Sequence, residues 1–112
     1  MAKEIDWRGS SLNDLIKFPE DAQISAGKEL RKIQYGHDAS DFKLINDWGM
    51  GVIEIRIDAQ AGTFRVVYVA KFEDKIYVLH SFQKKSQQTS KKDVKTITTR
   101  YSEVLNERRT KK

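Results

Sequence analysis

The alternation of apolar and polar residues between residues 52 and 83 predicts three β-strands. Ile53, Ile55 and Ile57 share one face of the first strand, because successive side chains of a strand point to opposite faces. The next two strands are expected within residues 63–70 and 75–83, where β-branched and aromatic residues are frequent. The connections between them are short, which favours an antiparallel meander.

Segments with apolar residues at helical spacing lie before and after these strands in the sequence. The spacing predicts a short helix that Ser11 caps and that closes at Phe18. A second helix is expected from Pro19, in its first turn, to the glycine stop at Gly36. Ser90 opens a last helix with a narrow apolar stripe. The first two helices are read as an αα-hairpin.

The remaining segments complete a predicted α+β fold. Residues 3–8 read as a short strand, whereas residues 37–51 give mixed signals and are predicted to be mostly loop. The predicted order is β-α-α-β-β-β-α, with helices packed on a small, mostly antiparallel sheet. We expect one domain over residues 1–112, with a basic, frayed tail at 108–112.

The positive charge of the chain is concentrated at its C-terminal end. The 112 residues contain 21 Lys and Arg against 16 Asp and Glu, a net charge of +5. Residues 1–83 have a balance of −2 and residues 84–112 one of +7. Clustered positive charge favours a polyanionic partner such as nucleic acid.

The residue types exclude several kinds of chemistry. The chain has no cysteine, which excludes disulfides, thiolate metal sites and a cysteine nucleophile. His37 and His80 stand far apart, and no glycine-rich phosphate loop is present. We therefore expect neither a metal nor another cofactor. The longest apolar run, residues 66–70, is too short for a membrane span, and no signal peptide is apparent, so a cytoplasmic protein is expected.

A group of cations remains as the candidate chemistry. Arg56 and Arg65 lie inside strands, Lys84 and Lys85 end the last strand, and His80 precedes them by four residues. Metal-free RNA cleavage needs such groups, because cations stabilise the charge on phosphorus while an imidazole can move a proton.

Structural explanations of the same residues stay open at this stage. His80 shares a predicted face with apolar neighbours, which is typical of a core histidine: Ile76, Val78 and Phe82. Arg56 can pair with Glu54, two residues along on the same face, or with a cross-strand partner. The lysine pair at the strand end can serve solubility alone.

Three blocks of this sequence resemble the HigB-like toxins of the RelE/ParE superfamily, which includes phage-derived relatives. The blocks occur in the family's order and spacing, and the resemblance covers about residues 42–109. They are GVIEIR at 51–56, FRVVY at 64–68 and VLHSFQKK at 78–85. One departure is visible, since QQTS at 87–90 stands where the family often has a proline.

The resemblance implies a RelE-like fold and an mRNA endonuclease that acts on the ribosome and arrests translation. By position, Arg65 looks like the arginine bound to the scissile phosphate, with Arg56 as a supporting cation. Lys84 and Lys85 match the family's lysine pair, and His80 matches its histidine. These comparisons make Arg65, His80, Lys84 and Lys85 the predicted catalytic residues.

Further expectations concern binding and partners. The basic residues Lys91, Lys92 and Arg100 of the last helix are predicted to contact RNA together with Arg56. The resemblance also implies a HigA-like helix-turn-helix antitoxin, with the ribosome and mRNA as the other partners and no membrane. A ParE-like gyrase inhibitor without nuclease activity and a basic RNA-binding module remain the alternatives.

Overall fold

A five-stranded mixed sheet organises the computed structural model, which describes residues 2–110. The strands lie in the order β1-β5-β4-β3-β2, with β1 parallel to β5 and all other pairs antiparallel. The elements are β1 (Glu4–Trp7), α1 (Ser11–Ile16), α2 (Glu20–Gln34), β2 (Phe42–Leu44), a 3₁₀ turn (Asn46–Trp48), β3 (Val52–Ala59), β4 (Gly62–Val69), β5 (Lys75–Lys84) and α3 (Lys91–Thr110).

Two apolar clusters lie on opposite faces of this sheet. On the first face, called here the α2 face, α1 and α2 pack on side chains such as Ile55 and Phe64. On the second, the α3 face, Ile97 and Val104 of α3 pack on strand residues that include Val67. Period-2 alternation along each strand therefore supplies both clusters, as expected for a sheet covered on both sides.

The predicted meander of β3, β4 and β5 is confirmed, while the loop predicted at 37–51 contains an additional strand. Strand β2 has only three residues, all exposed, and pairs along the edge of β3. So short and exposed a segment shows no alternation of buried positions, which explains why the sequence pattern did not reveal it. No helix within residues 2–110 is long and apolar enough to cross a membrane.

Two helix ends follow the sequence signals, whereas Pro19 occupies the cap position of α2 and not its first turn. Gly36, with φ of 88°, stands just beyond α2, and the backbone N–H of Asp93 donates to the Ser90 hydroxyl at the start of α3 (3.1 Å), so both predicted boundaries are confirmed. The cap predicted at Ser11 is wrong. Ser10 occupies the cap position, and the buried Ser11 hydroxyl donates to the carbonyl of Val78 (3.1 Å).

Residues 108–110 of the basic tail, which is predicted to fray, are helical in the structure. Helix α3 continues to Thr110, and Arg108 Nη1 donates to the hydroxyl of Tyr77 (2.7 Å) while pairing with Asp74 (3.1 Å). These contacts hold the last turn against β5. Lys111 and Lys112, the rest of the predicted tail, lie outside the described residues.

An irregularity in β5 changes which residues share a face. Val67 of β4 pairs with His80, but the next residue, Tyr68, pairs with Val78, so that Leu79 is an extra residue. Such a bulge reverses the alternation beyond it. The prediction that His80 shares a face with Val78 is therefore wrong: Val78 belongs to the α2 face, whereas His80 lies on the α3 face.

Candidate nucleic-acid interface

The strand register brings the predicted cations to one end of the α3 face. Arg56 of β3 lies directly opposite Arg65 of β4. In turn, Arg65 lies opposite Phe82 of β5, and Lys84 follows two residues later on the same face. A cleft of about 380 Å³ opens beside them and is lined by Thr63, Arg65, Lys84, Lys85, Ser86 and Gln87. We call Arg56, Arg65, Lys84 and Lys85 the basic patch.

A buried carboxylate lies between the two arginines of the patch. Glu54 is 2% exposed, and its Oε1 is 3.6 Å from Arg65 Nε and 3.8 Å from Arg56 Nε. Its other oxygen, Oε2, is buried without a hydrogen-bond partner. Like charges directly opposite each other in a sheet repel, so Glu54 offsets the repulsion between the arginines and holds their side chains side by side.

Sequence reasoning gave Glu54 only as an alternative partner of Arg56, and the structure makes it the partner of both arginines. The signal was present in the sequence, because an acidic residue stood inside a predicted strand between two apolar neighbours, Ile53 and Ile55. A carboxylate is seldom buried unless it is paired. What the sequence lacked was the register that places Arg65 across from Arg56.

The arginine of β4 is the most enclosed member of the basic patch. Arg65 is 8% exposed, and its Nη1 donates to the carbonyl of Phe64 (3.1 Å). Its Nε has an ion-pair neighbour in Glu54 but no hydrogen-bond partner. A guanidinium held in this way is fixed in position and keeps donors for a bidentate anion such as phosphate.

The predicted catalytic histidine lies beside the patch, with one ring nitrogen bonded to a carboxylate and the other buried. His80 Nε2 is 2.7 Å from Asp93 Oδ1, and its Nδ1 is buried without a partner. The ring also stacks on Phe82, with centroids 4.9 Å apart. Asp93 accepts a second hydrogen bond from the Ser90 hydroxyl (2.7 Å). His80 therefore joins β5 to the first turn of α3.

The cations predicted on the last helix occupy different surroundings. Lys91 and Lys92 are exposed at the start of α3. Arg100 is instead part of the packing, since its Nη1 donates to the carbonyl of Leu79 (2.9 Å) and its Nη2 to the hydroxyl of Ser10 (3.2 Å). The structure thus brings four of the predicted cations together: Arg56, Arg65, Lys84 and Lys85. Lys91 and Lys92 lie at the exposed start of α3. Arg100 does not join this group, because its guanidinium binds a backbone carbonyl of β5.

The described residues contain no group of three or more His, Cys, Asp or Glu side chains placed to hold a metal ion.

Comparison with known proteins places the chain in a family. Residues 13–102 match the family described as phage derived protein Gp49-like (DUF891). The chain belongs to the Gp49-like family. This match covers α2, the whole meander and more than half of α3, and it supports the phage-derived part of the resemblance seen in the sequence. No curated protein gives a significant match.

A solved structure shows the fold that the Gp49-like chain adopts. The E. coli toxin RelE, determined in the free state as a mutant with two arginines replaced by alanine, aligns with a TM-score of 0.53. The two sequences are 17% identical, and the alignment covers 96% of this chain and 98% of that chain. The expected RelE-like α+β fold is therefore confirmed.

Proposed function

We propose that this Gp49-like protein is the toxin of a type II toxin–antitoxin system and acts as a metal-independent, ribosome-dependent mRNA endonuclease. The observation that carries the proposal is the basic patch, in which Arg56 and Arg65 lie directly opposite each other and Lys84 lies on the same face. The HigB-like sequence blocks and the fold shared with a protein named as a toxin support it.

The patch suits cleavage of RNA by its own 2′-hydroxyl. In that reaction the 2′-oxygen attacks the adjacent phosphorus, the bond to the 5′-oxygen breaks, and a proton moves from the first oxygen to the second. The pentacoordinate phosphorus carries extra negative charge, which Arg65 and Arg56 are placed to bind through its nonbridging oxygens. Lys84 and Lys85 add positive charge at the end of β5.

In this proposal, Glu54 and His80 hold other residues of the site in position. Glu54 holds the guanidinium of Arg65, which limits the reorganisation needed when the phosphate charge develops. Nδ1 of His80 is buried, and the bond of Nε2 to Asp93 fixes the start of α3, with Lys91 and Lys92, beside the patch. We therefore place His80 among the residues that shape the site and not among those that touch RNA.

Expression of the chain in a bacterial host tests the proposal. We expect growth arrest and, by primer extension, cuts within translated codons of messages. Arg65→Ala and Lys84→Ala should each relieve the arrest and lower cleavage by about 10²–10³-fold, as loss of one charge-stabilising group does in other enzymes. Lys28→Ala, which removes an exposed cation from α2, is the matched control and should remain toxic.

Two outcomes would contradict this function. Arrest with intact messages and induction of the DNA-damage response would instead support a ParE-like gyrase inhibitor. Intact messages together with RNA binding that weakens steeply with salt would support a non-catalytic RNA-binding module. The engagement of His80 Nε2 by Asp93 and the burial of its Nδ1 favour this alternative. The HigA-like antitoxin is tested by the adjacent reading frame, which should encode a small helix-turn-helix protein.

A further inference from the structure

A pocket of about 370 Å³ opens on the α2 face, on the opposite side of the sheet from the basic patch. Its floor is formed by three residues that follow one another across β2, β3 and β4: Leu44, Ile53 and Tyr68. Ile33 of α2 and the loop at 36–38 form its wall. Sites for small molecules usually measure roughly 300–1,000 Å³, so this pocket has room for a small ligand.

The hydroxyl of Tyr68 is a polar group without a partner at the floor of this pocket. Tyr68 is 2% exposed, and its hydroxyl forms no hydrogen bond within residues 2–110. The side-chain atoms that are both fully buried and unpartnered belong to other residues, so this oxygen retains contact with the pocket. Because enclosed polar groups are normally satisfied, the phenol indicates a place for a polar group of a ligand.

Asp38 supplies a negative charge in the wall of the pocket. The residue is exposed, and its carboxylate has no ion pair or hydrogen bond in the described part of the chain. Burial, with a smaller contribution from this negative charge, raises the pKa of Tyr68 to about 12. The carboxylate therefore acts on the phenol across the pocket. Both groups accept hydrogen bonds, and the charge favours a cationic donor.

The two lysines of the lining direct their ammonium groups away from the pocket. Lys3 Nζ donates to the backbone carbonyls of Ala70 (2.9 Å) and Phe72 (2.8 Å). Lys71 Nζ donates to the hydroxyl of Tyr101 (3.1 Å), a residue of α3 on the other side of the sheet. An anionic ligand would therefore meet the carboxylate of the wall with both ammonium groups turned elsewhere, whereas a cation would be attracted to it.

We propose that this pocket binds a small primary amine with an apolar body, in its ammonium form. The ammonium group would donate to the Asp38 carboxylate and the Tyr68 hydroxyl, while the body lies against Ile33, Leu44 and Ile53. Leu44 is 53% exposed, so the ligand would cover an apolar side chain that the fold leaves in water. Neither the site nor its test depends on the proposed endonuclease.

Phenethylamine is the probe for this site. It is titrated into the whole protein at constant pH and ionic strength and followed by amide chemical shifts. We expect saturable binding with a dissociation constant of about 1 mM or tighter, a modest affinity that suits so small a ligand. The shifts should lie at residues 33–38, 44, 53 and 68, and not at the basic patch. In 2-phenylethanol a neutral hydroxyl replaces the ammonium group, so it should bind about tenfold more weakly or worse.

Two neighbouring carboxylates provide a matched pair of variants. Asp38→Asn removes the charge from the pocket with little change in volume and should weaken phenethylamine binding about tenfold or more. Asp41→Asn makes the same change at an exposed carboxylate outside the lining and should bind within about twofold. Tyr68→Phe keeps the buried ring and should weaken binding about three- to tenfold through loss of the hydroxyl. If Tyr68→Phe fails to fold, the two exposed aspartates still provide the test.

Three results would overturn the proposal. They are the absence of saturable shifts up to about 20 mM phenethylamine, equal affinity of Asp38→Asn and Asp41→Asn, and binding of 3-phenylpropionate in place of phenethylamine. The last result would mean that the lysines of the lining, and not Asp38, select the ligand. Because the basic patch lies on the other face, loss of the amine site would leave the proposed endonuclease standing, and intact messages in the cleavage experiment would not affect the amine site.

Discussion

Two neighbouring cross-strand pairs of β3 and β4 show how differently the two faces of the sheet are used. Ile57 pairs with Phe64 on the α2 face, where both are at most 3% exposed. One residue away, Arg56 pairs with Arg65 on the α3 face, beyond the part that α3 covers. The apolar pair stabilises the fold. The two arginines repel each other and so destabilise it, and Glu54 between them offsets this repulsion. Like charges kept side by side although they lower stability are typical of a functional surface.

The largest expected effect is on stability and comes from the α2 face. Phe64→Ala removes a buried ring that packs on Phe18 and should lower the free energy of unfolding by about 3–5 kcal/mol. Arg56→Ala, on the adjacent residue pair, should change it by less than about 1 kcal/mol, since that side chain is 38% exposed. Urea unfolding measures both variants. Comparable losses would show that the two faces do not differ as described.

The second largest expected effect on stability comes from Glu54, whose carboxylate offsets the repulsion between the two arginines. Glu54→Ala leaves Arg56 opposite Arg65 without an intervening negative charge and should cost about 1.5–3 kcal/mol of unfolding free energy. Added salt screens like charges, so the variant should regain part of this loss as sodium chloride is raised, more than the unaltered protein does. The measurement is urea unfolding at two salt concentrations.

Glu54→Gln serves as the matched variant because it keeps the volume and the acceptor oxygen while removing the charge. We expect it to show the same salt response as Glu54→Ala with a smaller loss of stability. Absence of any salt dependence in both variants would mean that Glu54 acts through packing alone and that the arginines do not repel each other appreciably.

The two faces also differ in how far their residues could be predicted. On the α2 face, the alternation of Ile53, Ile55 and Ile57 was visible in the sequence and is observed. On the α3 face, alternation along one strand could not show that Arg65 meets Arg56, nor that Leu79 shifts His80 to their side. Register and bulges depend on the pairing of distant segments, and these are the features that assemble the candidate site.

The third effect is a pH dependence that belongs to the α2 face. Burial, with a smaller contribution from the charge of Asp38, raises the pKa of Tyr68 from 10.0 to about 12. The folded state therefore favours the neutral phenol, and the stability this provides is complete below pH 10 and is lost as the pH rises toward 12. We expect a loss of at most about 2 kcal/mol, allowing for partial solvent screening.

Comparison with Tyr68→Phe isolates this contribution, because other titrating groups cancel in the difference. Urea unfolding between pH 8 and about 11 should show the unaltered protein losing stability relative to the variant above pH 10. A difference that stays constant with pH would mean that the phenol of Tyr68 ionises as easily in the folded protein as in the unfolded chain.

The smallest expected effect is on the first turn of α3, which separates the part of the α3 face that the helix covers from the part that it leaves open. Ser90 caps α3, and Asp93 in its first turn bonds His80, so this turn ends the covered part next to the basic patch. Ser90→Ala should lower the free energy of unfolding by about 1 kcal/mol through loss of the cap. Ser86→Ala, in the exposed loop before it, is the control and should change stability by less than about 0.5 kcal/mol.

Hydrogen exchange tests the same boundary. Because Ser90→Ala keeps the contact between His80 and Asp93, amide exchange should increase in the first turn of α3 and not in β5. Faster exchange in both would show that the cap, and not the His80–Asp93 contact, holds the helix to the sheet.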